Sequence, residues 1–234
     1  MDGVRVIDVK RGVLDANDAA ADRLRDELRS RGTFLLNLMS SPGAGKTTTL
    51  LRTIGALRDQ LDIAVMEADI DSDVDTRAAL GAGVPAIQLH TGGMCHLDAG
   101  MTRLGLTELQ ASLAELPERA GKADPDLVFL ENVGNLVCPA EFDTGASANA
   151  MILSVPEGDD KPLKYPLMFQ VCDVVLVNKI DVLPYFDFDL ARFTESVALR
   201  NPQARVIPIC AKTGEGMDAW FDWLADSVNA WRTK

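Results

Sequence analysis

Short apolar runs recur along the chain, separated by polar loops or by stretches with helical periodicity. Most of these runs are apolar at consecutive positions, which is typical of strands that are buried on both faces of a sheet. We predict seven strands, at residues 34–39, 63–68, 85–90, 126–131, 149–155, 173–178 and 205–209.

Stretches with the periodicity of an amphipathic helix lie between many of these strands. Such helices are predicted at residues 47–60, 75–80, roughly 97–120, 187–199 and 215–231. A further helix is predicted at residues 15–31, before the first strand, with Gly32 as its end. Because strands and helices alternate, we predict an α/β fold in which helices flank a mainly parallel sheet in three layers. Ligands of such sheets bind at the carboxyl ends of the strands.

The first predicted strand runs directly into the segment SSPGAGKT, which opens the next helix. This is the context of a phosphate-binding loop with the pattern G-x-x-x-x-G-K-S/T, except that Ser40 takes the place of the first glycine. Glycines let the backbone approach an oxyanion closely, the lysine adds a positive charge, and the threonine hydroxyl is offered to Mg²⁺. The residues expected to hold the β- and γ-phosphates are Gly43, Ala44, Gly45, Lys46, Thr47 and Thr48. The segment therefore predicts a P-loop NTPase fold.

A second polar segment, NKID, ends the predicted strand at residues 173–178. The carboxylate of Asp181 can accept hydrogen bonds from the ring N–H and the exocyclic amine of guanine, whereas adenine would leave it unpartnered. We expect Asn178 to brace the loop and the stem of Lys179 to lie over the base. After the next strand, CAKTGEG can aim the Ala211 amide at guanine O6, with Lys212 beside the base. The predicted nucleotide is therefore GTP.

Acidic residues follow two further strands. Asp69 stands at the end of the second strand and is the first choice as a ligand of Mg²⁺, while Asp75 is a second candidate that could instead cap the next helix. Glu131 ends the fourth strand in the segment ENVGN, where it would face the water shell of the metal, and the Gly134 amide could sense the γ-phosphate. We assign the catalytic roles to Lys46, Asp69 and Glu131. Because no glutamine is evident to position water, we expect slow, Mg²⁺-dependent GTP hydrolysis by the isolated chain.

Cysteine and histidine residues form a third candidate site. Cys95 and His96 are adjacent in TGGMCHLDAG, and Cys138 lies seven residues after the end of the fourth strand. Thiolate and imidazole ligands suit Zn²⁺ or Ni²⁺, and three ligands would leave the site one short, to be completed by water or a second subunit. The alternative is that the cysteines are buried core residues and that the histidine caps a helix. Cys172 and Cys210 follow apolar patterns and are expected in the core.

Composition restricts the partners. The chain has 234 residues and a formal net charge of −12, which disfavours nucleic acid and anionic membrane surfaces as partners. No apolar run approaches the 18 or more residues of a membrane span, and no signal-peptide pattern is seen, so we expect a cytoplasmic protein with reduced thiols.

Over nearly the whole chain, roughly residues 15–231, the sequence resembles the HypB family of nickel-incorporation GTPases of NiFe-hydrogenase maturation. The resemblance rests on LNLMSSPGAGKTT, PAIQLHTGGMCHLDAGM, DLVFLENVGNLVCPAEFDTG, SVPEGDDKPLKYPLMFQVCDVVLVNKIDVLPY and AKTGEGMDAW. It implies a SIMIBI-class P-loop fold, a GTP-linked homodimer, and an interface metal site whose ligands fall on Cys95, His96 and Cys138.

The resemblance also implies a role and partners. The role is to help deliver Ni²⁺ to the hydrogenase large-subunit precursor, together with a nickel- and zinc-binding accessory protein. We expect residues 1–32 to form an N-terminal segment whose helix packs on a GTPase domain at residues 33–234. Some members begin with a C-x-x-C-G-C or histidine-rich segment that binds nickel, but MDGVRVIDVKRGVLDAN has neither residue type, which puts a nickel-storage role in doubt.

Three alternatives share parts of this pattern. A urease nickel-insertion GTPase is expected to carry Cys-Pro-His where this chain has Cys-Pro-Ala at residues 138–140. A GTPase chaperone of a cobalamin mutase needs no Cys-His pair. A metal-storage or sensor protein with a vestigial nucleotide site is disfavoured by intact Lys46, Thr47 and Asp181.

Overall fold

The computed structural model describes residues 9–69, 73–119 and 124–233. Its centre is one sheet of seven strands in the order β3-β2-β4-β1-β5-β6-β7, with every neighbouring pair parallel. The strands are β1 (Phe34–Ser40), β2 (Ile63–Asp69), β3 (Ala86–His90), β4 (Leu127–Glu131), β5 (Ala148–Ser154), β6 (Val174–Asn178) and β7 (Arg205–Pro208). The predicted α/β fold with a parallel sheet is confirmed.

Nine α-helices are assigned within the described ranges. They are α1 (Val9–Arg31), α2 (Lys46–Leu57), α3 (Val74–Gly81), α4 (Ala99–Ala114), α5 (Cys138–Glu141), α6 (Lys161–Lys164), α7 (Pro166–Val171), α8 (Leu190–Ala198) and α9 (Met217–Arg232). Short 3₁₀ turns cover Pro117–Arg119, Val155–Glu157 and Ile180–Tyr185. None of the helices described is both long and apolar enough to span a membrane.

Both faces of the five inner strands are buried along most of their length, as the largely apolar runs predict. On β6, Val174 and Leu176 join the larger apolar cluster, which includes Trp220 of α9. The intervening Val175 and Val177 join a second cluster with Phe169 of α7 and Phe193 of α8. Because side chains of a strand point alternately to opposite faces, β6 contributes apolar side chains to a buried layer on each side of the sheet, as a three-layer domain requires.

Helix α1 ends at Arg31, as predicted, and Gly32 follows with a φ of 72°. Its start at Val9 lies before the predicted start at residue 15. The helix packs against the domain: the Arg25 guanidinium donates two hydrogen bonds to the Asp143 carboxylate, at 2.8 and 2.7 Å. The division at residue 32 remains a prediction, and residues 1–8 lie outside the described ranges.

Helix α4 is shorter than predicted. Asp98 caps its first turn by accepting a hydrogen bond from the Met101 amide at 2.8 Å. The helix ends at Ala114, and Pro117 begins a 3₁₀ turn. A proline lacks the amide hydrogen and disfavours helical angles in the residue before it, which explains why the apolar periodicity overestimated this helix.

Candidate functional site

The loop between β1 and α2 is built for close approach of a ligand to the backbone. Gly43 has a φ of 76° and Gly45 a φ of 98°, in the left-handed region that other residues rarely adopt. A β-carbon on Gly45 would lie 2.4 Å from Nδ2 of Asn178. Both predicted glycine positions are therefore required by backbone angle, and Gly45 also by space.

A cavity of about 410 Å³ opens beside this loop, at the carboxyl ends of β1, β2 and β4. It brings together residues that the sequence assigned to phosphates or Mg²⁺, with other residues between them. The lining residues are Ser40, Ser41, Pro42, Gly43, Gly45, Lys46, Thr47, Thr48, Asp69, Asp75, Glu131, Val133 and Gly134. Ala44 is buried and does not line the cavity.

Lys46 points to the end of β4. Its Nζ donates to the carbonyl oxygen of Asn132 at 2.5 Å and lies 3.6 Å from Oε1 of Glu131. A lysine in this position is close to the cavity and can exchange these partners for phosphate oxygens.

Carboxylates are concentrated under the same cavity. Glu131 is 1% exposed, and burial raises its pKa. Its Oε2 is buried and accepts no hydrogen bond in the part of the chain that the structure describes. Glu67, its register partner on β2, is 3% exposed, and burial together with the Glu131 charge raises the pKa of Glu67 to about 7. Thr47 donates to Oδ1 of Asp75 at 2.9 Å.

This donor set fits Mg²⁺, which binds hydroxyl and carboxylate oxygens and water. The buried, unpartnered oxygen of Glu131 is the strongest indication, since a buried carboxylate oxygen without a donor is costly. Asp69 ends β2 at the cavity edge, as predicted. Asp75 lies in the first turn of α3 and does not take the cap position, which Asp73 occupies.

A row of buried asparagines supports the cavity floor, and sequence reasoning missed it. Asn37 of β1 donates to Oδ1 of Asn149 on β5 at 2.9 Å. Asn132 donates to Oδ1 of Asn37 at 3.0 Å. Isolated asparagines inside apolar runs were the available signal, because buried amides require partners. The row connects the strands on both sides of β1 to the residue whose carbonyl oxygen holds Lys46.

Asn178 braces the phosphate loop through its side chain. Its Nδ2 donates to the Ala44 carbonyl oxygen at 2.9 Å, and its Oδ1 accepts from the amides of Lys179 and Ala211 at 2.8 and 3.0 Å. Lys179 has a φ of 63° and its Nζ donates to the Gly43 carbonyl oxygen at 2.7 Å. NKID and CAK are thus brought to the phosphate loop from two strands.

Two details of this region differ from simple expectation. The Ala211 amide, expected at guanine O6, donates here to Asn178, so its contact with a base remains a prediction. Cys210 is buried, as expected, yet its thiol also donates to Oδ1 of Asp181 at 3.2 Å. Lys212 is exposed, and its carbonyl oxygen accepts from Arg52 at 3.0 Å.

The two predicted thiol ligands meet although 43 positions separate them in the sequence. Cys95 Sγ lies 2.7 Å from Cys138 Sγ, and the contact raises the pKa of the Cys138 thiol. Cys95 is exposed and Cys138 partly so, whereas Cys172 is buried. The alternative that the first two are core cysteines is therefore wrong, while the core position of Cys172 is confirmed.

His96 does not complete a ready-made metal site. Its Nδ1 lies 3.9 Å from Cys95 Sγ, and its ring stacks on Phe142 with centroids 3.9 Å apart. Among the residues that the structure describes, no three Cys, His, Asp or Glu side chains are arranged to hold one ion. A metal on the two thiols would need the imidazole to turn, or a donor from another molecule.

Two further asparagines tie the thiol-bearing segments together and were not predicted. Asn135 Nδ2 donates to the Cys95 carbonyl oxygen at 2.6 Å. Asn17 of α1 donates to the Asp143 carbonyl oxygen at 2.8 Å and accepts from the Ala99 amide at 3.0 Å. These contacts join segments distant in sequence, so no local pattern could have revealed them.

Comparison with known proteins agrees with this geometry. The family of CobW/HypB/UreG nucleotide-binding domains matches residues 34–208. The hydrogenase maturation factor HypB of Escherichia coli K12 is 44% identical over 220 residues, which is 94% of this chain and 72% of that relative. The chain belongs to the HypB family. The resemblance inferred from the motifs is therefore confirmed.

Two solved HypB structures share the fold. A crystal structure of hydrogenase maturation factor HypB from Archaeoglobus fulgidus has a TM-score of 0.80 and 34% identity, covering 92% of this chain and 100% of that one. HypB from Helicobacter pylori, solved in complex with nickel, has a TM-score of 0.82 and 34% identity, covering 92% of this chain and 96% of that one. The predicted P-loop NTPase fold is thus confirmed, and HypB relatives are maturation factors for hydrogenase by name.

Proposed function

We propose that this chain is a GTP-hydrolysing metallochaperone that helps to insert nickel into the NiFe-hydrogenase large-subunit precursor. The observation that carries the proposal is the pair formed by Cys95 and Cys138, with sulfur atoms 2.7 Å apart. Cys138 lies four residues beyond Gly134, which lines the phosphate cavity. A nucleotide site and a soft-metal site therefore share one short segment of chain.

The phosphate loop binds the phosphates of GTP. Backbone amides from Gly43 to Thr48 hold the β- and γ-phosphates at the start of α2, where the helix dipole also favours negative charge. Lys46 leaves the Asn132 carbonyl oxygen and shares its charge with the phosphates. Thr47, Asp69 and Glu131 would hold Mg²⁺, which when bound neutralises charge on the phosphates.

Base selection falls to the two segments braced by Asn178. Asp181 accepts hydrogen bonds from the ring N–H and amine of guanine, with Lys179 over the base and Ala211 and Lys212 beside it. The Cys210 thiol that now donates to Asp181 is a weak donor, so guanine can displace it at small cost.

Nickel binds at the second site, as the ion that the protein delivers. Cys95 and Cys138 supply thiolates and His96 an imidazole, ligands that suit Ni²⁺ or Zn²⁺. Because the imidazole is stacked on Phe142 and the set is one ligand short, a second copy of the chain completes the site. Dimerisation follows GTP binding, through the shift of the Glu131–Gly134 loop toward the γ-phosphate.

The remaining partners follow from this role. A nickel- and zinc-binding accessory protein exchanges the ion with the exposed Cys95 side of the pair, and the hydrogenase precursor receives it. Work of this kind requires reduced thiols, which places the protein in the cytoplasm. Nucleic acid and membrane surfaces are not among its partners, given the net charge of −12.

The test measures Ni²⁺ affinity and molecular mass in solution, first with GDP and then with a non-hydrolysable GTP analogue. Wild type should bind Ni²⁺ more tightly and form more dimer with the analogue. Cys95→Ala and Cys138→Ala should lose at least about tenfold in Ni²⁺ affinity. Cys172→Ala is the matched control, since it removes a thiol that lies in the core.

Identical Ni²⁺ affinity and mass with both nucleotides would contradict the linkage between the two sites. Equal Ni²⁺ affinity in wild type and both ligand variants would remove the metal site. Phosphate release from GTP, compared with and without Mg²⁺, tests the hydrolytic activity by itself.

A further inference from the structure

Asn135 contacts both thiol-bearing segments with one side-chain amide. Its Nδ2 donates to the Cys95 carbonyl oxygen at 2.6 Å. Its Oδ1 accepts from the amides of Val137 and Cys138, at 3.1 and 2.9 Å. Because the amide group is planar and rigid, these three bonds fix the distance between the backbones of Cys95 and Cys138.

The same residue is one position from the phosphate cavity. Gly134 lines that cavity, and a β-carbon placed on it would lie 3.6 Å from the ring and the nitrogen of Pro42 in the phosphate loop. The Asn135 amide donates to the Val133 carbonyl oxygen at 2.9 Å, so the chain makes a tight turn between the two sites. A shift of Gly134 must therefore move the Asn135 side chain or break its bonds.

A simpler role for Asn135 would be local. Its two acceptor bonds, from the amides of Val137 and Cys138, form an Asx turn just before α5, and asparagine and aspartate both satisfy such a turn. The donor bond to Cys95, 40 positions earlier in the sequence, adds nothing to such a turn. The two roles can thus be separated, because aspartate keeps the acceptor and lacks the donor.

We propose that Asn135 is a positioning residue which holds Cys95 and Cys138 at metal-binding distance. Through Asn135, the nucleotide bound in the phosphate cavity changes the geometry of the two thiols. This inference rests on the proposed function, since it assumes that the two thiols bind nickel. Asn135 itself does not ligate the ion. Groups that orient metal ligands without touching the metal typically change metal affinity by about 10–100-fold when they are lost.

The experiment compares wild type, Asn135→Asp and Asn135→Ala as complete chains. Ni²⁺ affinity is titrated by the thiolate-to-nickel absorption, with GDP and with a non-hydrolysable GTP analogue. Raised ionic strength screens the negative charge that aspartate adds. GDP affinity and thermal unfolding are measured in parallel, so that a folding defect or a damaged nucleotide site is recognised.

Asn201→Ala is the matched control. Asn201 also bridges backbone segments, donating to the Cys172 carbonyl oxygen at 2.9 Å and accepting from the Gln203 amide at 3.0 Å, but it lies outside both candidate sites. This variant should keep wild-type Ni²⁺ affinity with either nucleotide.

Both Asn135 variants should bind Ni²⁺ about tenfold more weakly and lose the difference between GDP and the analogue, while GDP affinity stays within twofold. Wild-type Ni²⁺ affinity in Asn135→Asp would overturn the inference and leave only the local Asx turn. Loss in Asn201→Ala equal to that in the Asn135 variants would overturn it as well. If the Ni²⁺ affinity of wild type is the same with GDP and with the analogue, the proposed linkage of nucleotide and metal fails, and the inference of a signal through Asn135 fails with it. If wild type and the Asn135 variants show the same difference in Ni²⁺ affinity between GDP and the analogue, only the inference fails.

Discussion

Lys46 and Glu131 face each other below the phosphate loop, with Nζ 3.6 Å from Oε1 and the glutamate buried. The lysine therefore stabilises the end of β4 before any phosphate arrives. In the proposed function, phosphate oxygens draw the lysine away, and the buried carboxylate would then lose part of its charge compensation. That exchange would give the segment after β4 a physical reason to respond to nucleotide.

Replacing this lysine should affect both binding and stability. Lys46→Ala removes a charge from the phosphates, and nucleotide affinity should fall by at least about 2 kcal/mol, roughly thirtyfold. The variant also leaves Glu131 buried without its cation, which should cost about 3 kcal/mol of unfolding free energy. The control is the double variant Lys46→Met with Glu131→Gln, which should recover stability without recovering nucleotide binding. Chemical denaturation and GDP titration measure the two effects, and unchanged stability in Lys46→Ala would contradict the buried pair.

Glu67 should make stability depend on pH. Burial and the neighbouring Glu131 raise its pKa from 4.5 to about 7 in the folded chain. A carboxyl group with a raised folded-state pKa favours the folded state fully below pH 4.5, and this contribution is lost as the pH rises through 7. Relative to Glu67→Gln, wild type should lose about 3 kcal/mol across this window.

The measurement for Glu67 is urea unfolding of the nucleotide-free chain between pH 5 and 8, without Mg²⁺. Glu195→Gln on the exposed surface of α8 is the control and should leave the profile unchanged. Parallel profiles for wild type and Glu67→Gln would show that the pKa of Glu67 is not raised in the folded chain, contrary to expectation.

The four cysteines should separate into two classes of reactivity. Cys95 and Cys138 are accessible, whereas Cys172 and Cys210 are buried. An alkylating reagent should therefore modify two thiols quickly in the native chain and all four in the unfolded chain. Ni²⁺ added first should slow both fast reactions. In Cys95→Ala the contact that raises the pKa of Cys138 is gone, so Cys138 should be alkylated faster at neutral pH. Mass spectrometry of labelled peptides identifies each site, and a slower Cys138 in that variant would refute the contact.

Asp181 should decide which base is accepted. Asp181→Asn loses the acceptor for the guanine amine, and GTP affinity should fall about a hundredfold. The new amide can donate to the carbonyl that xanthine carries in place of the amine, so xanthosine triphosphate should bind more tightly than in wild type. Asp187→Asn, in the following exposed loop, is the control. Competition with fluorescent nucleotides measures both affinities, and unchanged preference for GTP would remove Asp181 from the base site.

Local chemistry explains what the sequence could predict. Most strands are largely apolar runs, and the phosphate loop is defined within eight positions around Gly43, Gly45 and Lys46, so their placement needed no long-range information. The side chain of Asn178 reaches the Ala44 carbonyl oxygen from 134 positions away. This bracing role was predictable only because the NKID motif accompanies phosphate loops of this kind.

Tertiary contacts explain what it could not predict. The hydrogen bonds of Asn37, Asn135 and Asn17 join segments whose proximity exists only after the sheet has formed. His96 was expected beside the two thiols, yet its ring gains more contact by stacking on Phe142. Packing of an aromatic surface competes with ligand geometry, and nothing in the local pattern decides between them.

The order of the strands separates two kinds of selectivity. The thiol-bearing segments follow β3 and β4, on one side of β1, whereas the segments expected to read the base follow β6 and β7, on the other. Under the proposed function, substitutions that change base preference and substitutions that change metal preference therefore lie on opposite sides of β1. The free-energy effects of substitutions in the two groups should be close to additive, so that base preference can be changed by mutation while metal preference is kept.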